Sequence, residues 1–197
     1  IPPARPAAPL VAGIPGTGWG LLWSYPSPDP QNLPARHDLK RIGSLTRALD
    51  DAESGVADWD TTLFAWSAAR SASGARSYAS GAGDRRKSVL AARVPVDVAP
   101  GDSVVVQAFW DLDVYRDYWY AEASEDGGAT WASLPGDRTS YDNPFGMNLG
   151  NGITGTSGGV FMRAAFTLQS YAGMQVLVRF RCLTDATVHG EGLYLDD

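Results

Sequence analysis

Residues 103–110 read SVVVQAFW and residues 176–184 read VLVRFRCLT, and both runs alternate apolar and other residues. In the first, Val104, Val106, Ala108 and Trp110 share one face. In the second, Val176, Val178, Phe180 and Cys182 point one way while Arg179 and Arg181 point the other. A period of two belongs to a strand with one face in a core, because successive Cβ atoms leave a pleated backbone on opposite sides. Residues 118–124 alternate similarly, and Val160, Met162, Ala164, Phe166 and Leu168 line one face of another long strand. Shorter strands are predicted over 62–67, 76–80, 88–94, 129–134 and 192–197, which brings the count to about nine or ten. Many short strands joined by glycine-rich turns predict an all-β sandwich or barrel. Cys182, on the apolar face of its strand, reads as a core filler rather than a reactive thiol.

The composition agrees. Of 197 residues, 44% are hydrophobic and 19% charged, enough for a self-standing core. Sixteen Lys+Arg against 22 Asp+Glu give a formal net charge of -6, which works against a polyphosphate backbone and makes nucleic acid an unfavourable partner. No apolar run approaches the roughly 18 residues that would insert into a bilayer. With a single cysteine, neither an internal disulfide nor a cysteine-rich zinc site is possible. His37 and His189 are the two histidines, and no His-Glu-x-x-His motif of a zinc protease occurs.

Nine of the 13 prolines fall within residues 1–34, where they favour extended backbone without donors. Residues 1–18 are expected to be a Pro-rich linker or arm, a route to oligomers by docking on a neighbour. Residues 19–49 form an N-terminal extension, with a strand expected over 19–25 and a short helix over 38–50 capped by Asp38. An initial Ile followed by Pro2 and Pro3 suits a processed product or an excised piece. The β-sandwich is expected over 50–197.

Ser124-Glu-Asp126-Gly-Gly128-Ala-Thr130-Trp131 fits the Asp-box pattern Ser-x-Asp-x-Gly-x-Thr-Trp. Asp126 is expected to accept backbone N–H groups across the turn, Gly128 to supply a positive φ, and Trp131 to fold back, buried, against the sheet. The carboxylates cluster at Asp50, Asp51 and Glu53, at Asp111, Asp113 and Asp117, and at Asp196 and Asp197. If strands gather these ends, the repulsion invites a cation, and all-oxygen ligation suits calcium. The alternatives are acids lining solvated loops and, less well supported, a glycosidase carboxylate pair. The Gly/Asn-rich loop over 135–159 exceeds the usual connection length and reads as a flexible excursion or a binding loop. Trp119 and Tyr120, with Trp110 and Tyr115, are candidates for a sugar-stacking platform or for ordinary core and surface.

Taken together, Asp50-Asp51-Ala-Glu53-Ser-Gly55 with Trp59, Arg70-Ser-x-Ser-Gly74-x-x-Ser77, Phe109-Trp-Asp-Leu-Asp113 and Gly190-Glu-Gly192 with Asp196-Asp197 carry a family likeness. Over 50–197 the chain resembles the MAM-like jelly-roll modules of immune inhibitor A-type secreted metallopeptidases and the related cleaved-adhesin and choice-of-anchor modules. The resemblance implies a two-sheet jelly roll, a secreted or cell-surface setting and a structural calcium. Its ligands would be Glu53, Asp113 and Asp197, with Asp51, Asp111, Asp117 and Asp196 behind them. Two departures stand out: Ala52 replaces the usual aromatic, and Asp113 a frequent Glu. The expected function is a non-catalytic, calcium-stabilised accessory or adhesion module with a protein or glycan surface ligand. A carbohydrate-binding module and a self-assembling surface or filament subunit are the alternatives.

Overall fold

The computed structural model describes residues 50–197 and, before them, two short strands, β1 (Trp19–Gly20) and β2 (Lys40–Arg41), paired antiparallel. The chain divides into two compact units, Ile1–Leu49 and Asp50–Asp197. The strand at β1 falls within the expected 19–25 run, whereas Lys40–Arg41 is a strand where a helix over 38–50 was expected. Gly43 weakens helical propensity there, and strand pairing supplies the backbone partners instead. Residues 38, 39 and 42–49 of the expected helix and the Pro-rich arm over 1–18 lie outside the described residues.

Asp50–Asp197 is built from β3 (Trp59–Thr62), β4 (Ala65–Ser67), β5 (Ser77–Ala79), β6 (Lys87–Ala92), β7 (Val96–Asp97), β8 (Ser103–Asp111), β9 (Tyr118–Ser124), β10 (Ala132–Ser133), β11 (Met162–Thr167), β12 (Gln175–Leu183) and β13 (Gly192–Asp196). One antiparallel sheet runs β10-β9-β12-β6-β3, with β7 on the far end of β12; the other runs β11-β8-β13-β5-β4. The two sheets face each other as a sandwich. Among the described residues the helical content is one 3-10 turn, Gln169–Tyr171. No helix among them is long and apolar enough to cross a membrane.

Alternation fills the interior. Leu90, Trp119, Phe180 and Cys182 from the first sheet meet Val106, Trp110, Ala164, Phe166, Leu193 and Leu195 from the second. Trp119 packs against Trp110 at 5.9 Å and Phe166 at 5.5 Å between ring centroids. Burial of each large aliphatic or aromatic side chain contributes about 1.5–3 kcal/mol, so this layer dominates stability. Cys182 is buried within it, and desolvation pushes its thiol up to about 12, which keeps it protonated and unreactive.

Strand β9 is buried along its whole length. Its inner face joins the core, and on the other face the stretch between β10 and β11 covers Tyr118 and Tyr120. Ile153 exchanges both backbone hydrogen bonds with Trp119, Thr156 bridges Asp111, and Gly136 bridges Phe166. This long loop, read from sequence as a flexible excursion or a binding loop, is therefore a packed element that extends the edges of both sheets.

Candidate metal centre

The chain opens the sandwich with a pinned turn. Asp50 accepts hydrogen bonds from the Ala52 N–H (2.9 Å), the Trp59 indole N–H (2.5 Å) and the Tyr78 hydroxyl (2.9 Å). Burial, then the Asp50 carboxylate, pushes the Tyr78 phenol well above its ordinary value. Ala52 is fully buried in the left-handed region at φ 57°. The Trp66 indole N–H donates to the Ala52 carbonyl (2.5 Å). Asp50 thus organises the turn that presents Glu53, a role its position in an acidic run did not reveal.

Glu53 Oε1 accepts the N–H groups of Ala75 (2.7 Å) and Arg76 (2.9 Å). Asp196 Oδ2 accepts those of Ala72 (2.7 Å) and Ser73 (3.1 Å), and Asp197 Oδ1 accepts the Ser73 hydroxyl (2.9 Å). The loop over 72–76 is therefore gripped by carboxylates from both ends of the sandwich sequence, Glu53 and Asp196 with Asp197. Gly74 is required at the contact, since a Cβ there would lie 2.3 Å from Glu53 Oε1. Desolvation raises the pKa of Asp196, opposed by the Ser73 and Ala72 N–H groups and reinforced by neighbouring Asp197. Asp51 is exposed and accepts the Glu53 N–H (3.1 Å).

Asp111, Asp113 and Asp117 lie elsewhere. Register pairs Asp111 with Gly192 and Gln107 with Asp196, so the two acidic groups sit at opposite ends of β13, about 13 Å apart along the strand. The expected meeting of Asp113 with Glu53 and Asp197 is thereby corrected. Asp111 instead accepts the Glu191 N–H (3.2 Å). Asp117 is fully buried; it accepts the Asp185 N–H (2.8 Å) and the Asp113 N–H (3.4 Å), and burial raises its pKa. Arg116, 3.9 Å from Asp113 and 3.6 Å from Asp185, supplies positive charge to this group.

For calcium, the donors around 72–76 fit in chemistry and fall short in number. All are oxygens and mostly carboxylates, the set a hard cation takes. Among the described residues, however, no three His, Cys, Asp or Glu side chains converge closely enough to hold a metal, and loop N–H groups already occupy Glu53 Oε1 and Asp196 Oδ2. Backbone carbonyls or water would have to complete the shell.

The turn after β9 closes through Asp126. Its carboxylate accepts the Thr130 N–H (2.8 Å), the Thr130 hydroxyl (2.5 Å) and the Ser124 hydroxyl (2.7 Å), while Gly128 adopts φ 94°. Trp131, expected to be buried, is half-buried: its indole N–H donates to the Gly128 carbonyl (2.9 Å) and its ring carries the Arg179 guanidinium 4.2 Å from the centroid. Both Arg179 (2.6 Å) and Arg181 (2.5 Å) bind Glu122, a buried carboxylate on the outer face of β9.

Trp119 and Tyr120 are both fully buried, which corrects the sugar-platform expectation: Trp119 faces the sandwich interior, and Tyr120 lies under the long loop, bonded to the Asn148 side chain (3.2 Å) and the Leu149 N–H (3.0 Å). A covered ring cannot stack on a ligand.

A family model described as Immune inhibitor A-like, MAM domain matches residues 62–197, beginning nine residues after Glu53. The pre-pro-metalloprotease PrtV of Vibrio cholerae serotype O1, from strains M66-2 and ATCC 39315 / El Tor Inaba N16961, is 27% identical over 157 residues. That alignment covers 80% of this chain and 16% of the relative's length. A solved structure from a study of promiscuous specificity in carbohydrate-binding modules of the β-sandwich superfamily aligns at a TM-score of 0.43 and 11% identity, over 74% of this chain and 58% of that one.

Proposed function

The chain belongs to the Immune inhibitor A-like MAM domain family, and from that premise we propose that its sandwich is a non-catalytic accessory module, carried beside the catalytic domain of a larger secreted metallopeptidase and stabilised by calcium. The relatives are metalloproteases by name, and the chain spans only a small part of their length. The observation that carries the calcium reading is the convergence of Glu53, Asp196 and Asp197 on one five-residue loop. These carboxylates come from the first and last segments of the sandwich. A cation held by Glu53 and Asp197, with backbone carbonyls and water completing its shell, would offset the repulsion between Asp196 and Asp197 and tie the ends of the unit together. Glu53 and Asp197 are the proposed ligands, with Asp196 orienting the loop. Asp113 and Asp117 belong to the Arg116 group and are not part of this site.

Calorimetry with chelator and with added calcium tests the reading. At 1 mM calcium and a dissociation constant of about 0.1 mM, linkage contributes about 1.4 kcal/mol, which for a chain of this size raises Tm by about 3–6 °C. Glu53→Gln is expected to remove most of that response. Superimposable transitions with and without calcium would leave these carboxylates as loop clamps alone.

A further inference from the structure

Within the loop that covers Tyr118 and Tyr120, Asn151 is followed by Gly152. Of Asn143, Asn148 and Asn151, the first precedes Pro144, whose nitrogen has no proton to lose, and the second precedes Leu149, whose side chain crowds its backbone nitrogen. Glycine sets no Cβ beside its nitrogen, so that nitrogen can reach the Asn151 side-chain carbonyl carbon. Packing imposes this pair. A Cβ on Gly152 would lie 2.6 Å from Asn148 Oδ1, 2.7 Å from the Tyr118 ring and 3.0 Å from the Tyr120 ring, so a larger residue does not fit under the docked loop. Asn151, 7% exposed, ties the loop to β10: its backbone N–H donates to the Ser133 hydroxyl (2.9 Å), and its side-chain NH₂ donates to the Ser133 carbonyl (3.0 Å) and hydroxyl (3.3 Å).

The same docking keeps the pair from reacting. The Gly152 N–H donates to the Ser140 carbonyl (3.2 Å) and the Gly150 carbonyl (2.9 Å), so two acceptors hold the proton that must leave. One residue on, Ile153 and Trp119 exchange both backbone bonds, each 2.9 Å, and fix the backbone that an attack on the Asn151 side chain would have to turn. Reaction therefore requires these bonds to open together, a local event that need not unfold the sandwich.

We propose that Asn151 is a deamidation site gated by the docking of this loop. When the loop opens, the Gly152 nitrogen gives its proton to hydroxide and attacks Asn151 Cγ. The N–Cγ bond forms, the Cγ–Nδ2 bond breaks, and the leaving nitrogen takes a proton from water and departs as ammonia. Water then opens the succinimide ring at either carbonyl, giving aspartate or isoaspartate at position 151. Neither product fits the docked loop. Aspartate turns a carboxylate oxygen toward the Ser133 carbonyl where an NH₂ had donated. Isoaspartate adds a methylene to the main chain just ahead of the bridges from Gly152 to Ser140 and from Ile153 to Trp119. Each conversion thus leaves the loop undocked and Tyr118 and Tyr120 uncovered, and the loss of ammonia makes the step one-way. None of these residues belongs to the proposed calcium site.

The full chain is incubated in mildly alkaline buffer, folded and, in parallel, unfolded in urea, while peptide mapping by mass spectrometry follows the exchange of NH for O at Asn151. The unfolded chain is expected to convert at Asn151 ahead of Asn143 and Asn148, and the folded chain at least about tenfold more slowly, because reaction waits on local opening. Ser133→Ala, which removes two of the three bonds to Asn151, should speed the folded reaction severalfold and leave the unfolded rate unchanged. Asn151→Asp reproduces one product directly. Hydrogen exchange at the Trp119 and Ile153 N–H groups should then rise at least about tenfold over wild type, while the amides of β12 facing β6 stay protected. Equal rates in the folded and unfolded chains, an unfolded chain that keeps Asn151 intact, or no acceleration by Ser133→Ala would each overturn the proposal. So would exchange in Asn151→Asp that is unchanged, or that rises throughout the sandwich.

Discussion

Replacing Glu122 by Gln breaks a charge network on an outer face of the sandwich. Glu122 on β9 stands opposite Arg179 on β12, with Arg181 two residues along. Its two oxygens are divided between Arg179 Nε (2.6 Å) and Arg181 Nη2 (2.5 Å). The carboxylate side chain is 3% exposed and the arginines 18% and 22%. Glutamine keeps the shape and one acceptor, but turns an NH₂ donor toward a guanidinium that also donates. Two half-buried cations are then left without their shared anion.

Breaking a buried ion pair costs about 3–5 kcal/mol, and the partial access of both arginines to water lowers that to about 2–3 kcal/mol. Tm should fall by about 4–12 °C. Urea denaturation followed by tryptophan fluorescence reads the loss as a lower midpoint at unchanged slope. Trp131, stacked on Arg179, is a local reporter. Adding Arg181→Gln to Glu122→Gln should recover at least about 1 kcal/mol relative to the sum of the single losses. Strict additivity, or a single-variant loss below about 1 kcal/mol, would mean that water screens this network as it screens surface pairs, and the reasoning would fail.

Two further outcomes follow from local geometry. The Thr130 hydroxyl, the Thr130 N–H and the Ser124 hydroxyl hold the Asp126 carboxyl down at about 2, below its unfolded value of about 3.9. Its contribution is therefore complete above the unfolded value and is lost as pH falls through about 2, so the stability difference between wild type and Asp126→Asn should grow between about pH 2 and 4; a difference constant with pH would refute this. Gly192, at φ 89°, has no room for a side chain: a Cβ would lie 2.5 Å from the Gly81 carbonyl oxygen and 2.8 Å from the Ser80 hydroxyl. Gly192→Ala should cost more than about 2 kcal/mol in a thermal melt, against about 1 kcal/mol for Gly173→Ala, where φ is 87° and no atom lies within 4 Å. Equal losses would show that backbone strain alone governs both.

Features that depend only on neighbours along the chain are legible without a structure. Alternation in residues 103–110 and 176–184 places strands and assigns each side chain to a face, because the pleat has a period of two whatever the strand pairs with. That sufficed for the all-β sandwich, for Cys182 inside it and for Arg179 and Arg181 on the side away from the core. Which chain ends meet, and what covers an outer face, depend instead on the folded arrangement. Asp111 faces Gly192 and Gln107 faces Asp196, a register between residues some 80 positions apart, and it alone separates Asp113 from Asp197. Tyr120 points away from the core as its parity requires, yet it is buried because residues 148–149 lie over it. Pairing register and loop docking are set by long-range contacts that carry no local period, so they emerge only when the whole sandwich closes.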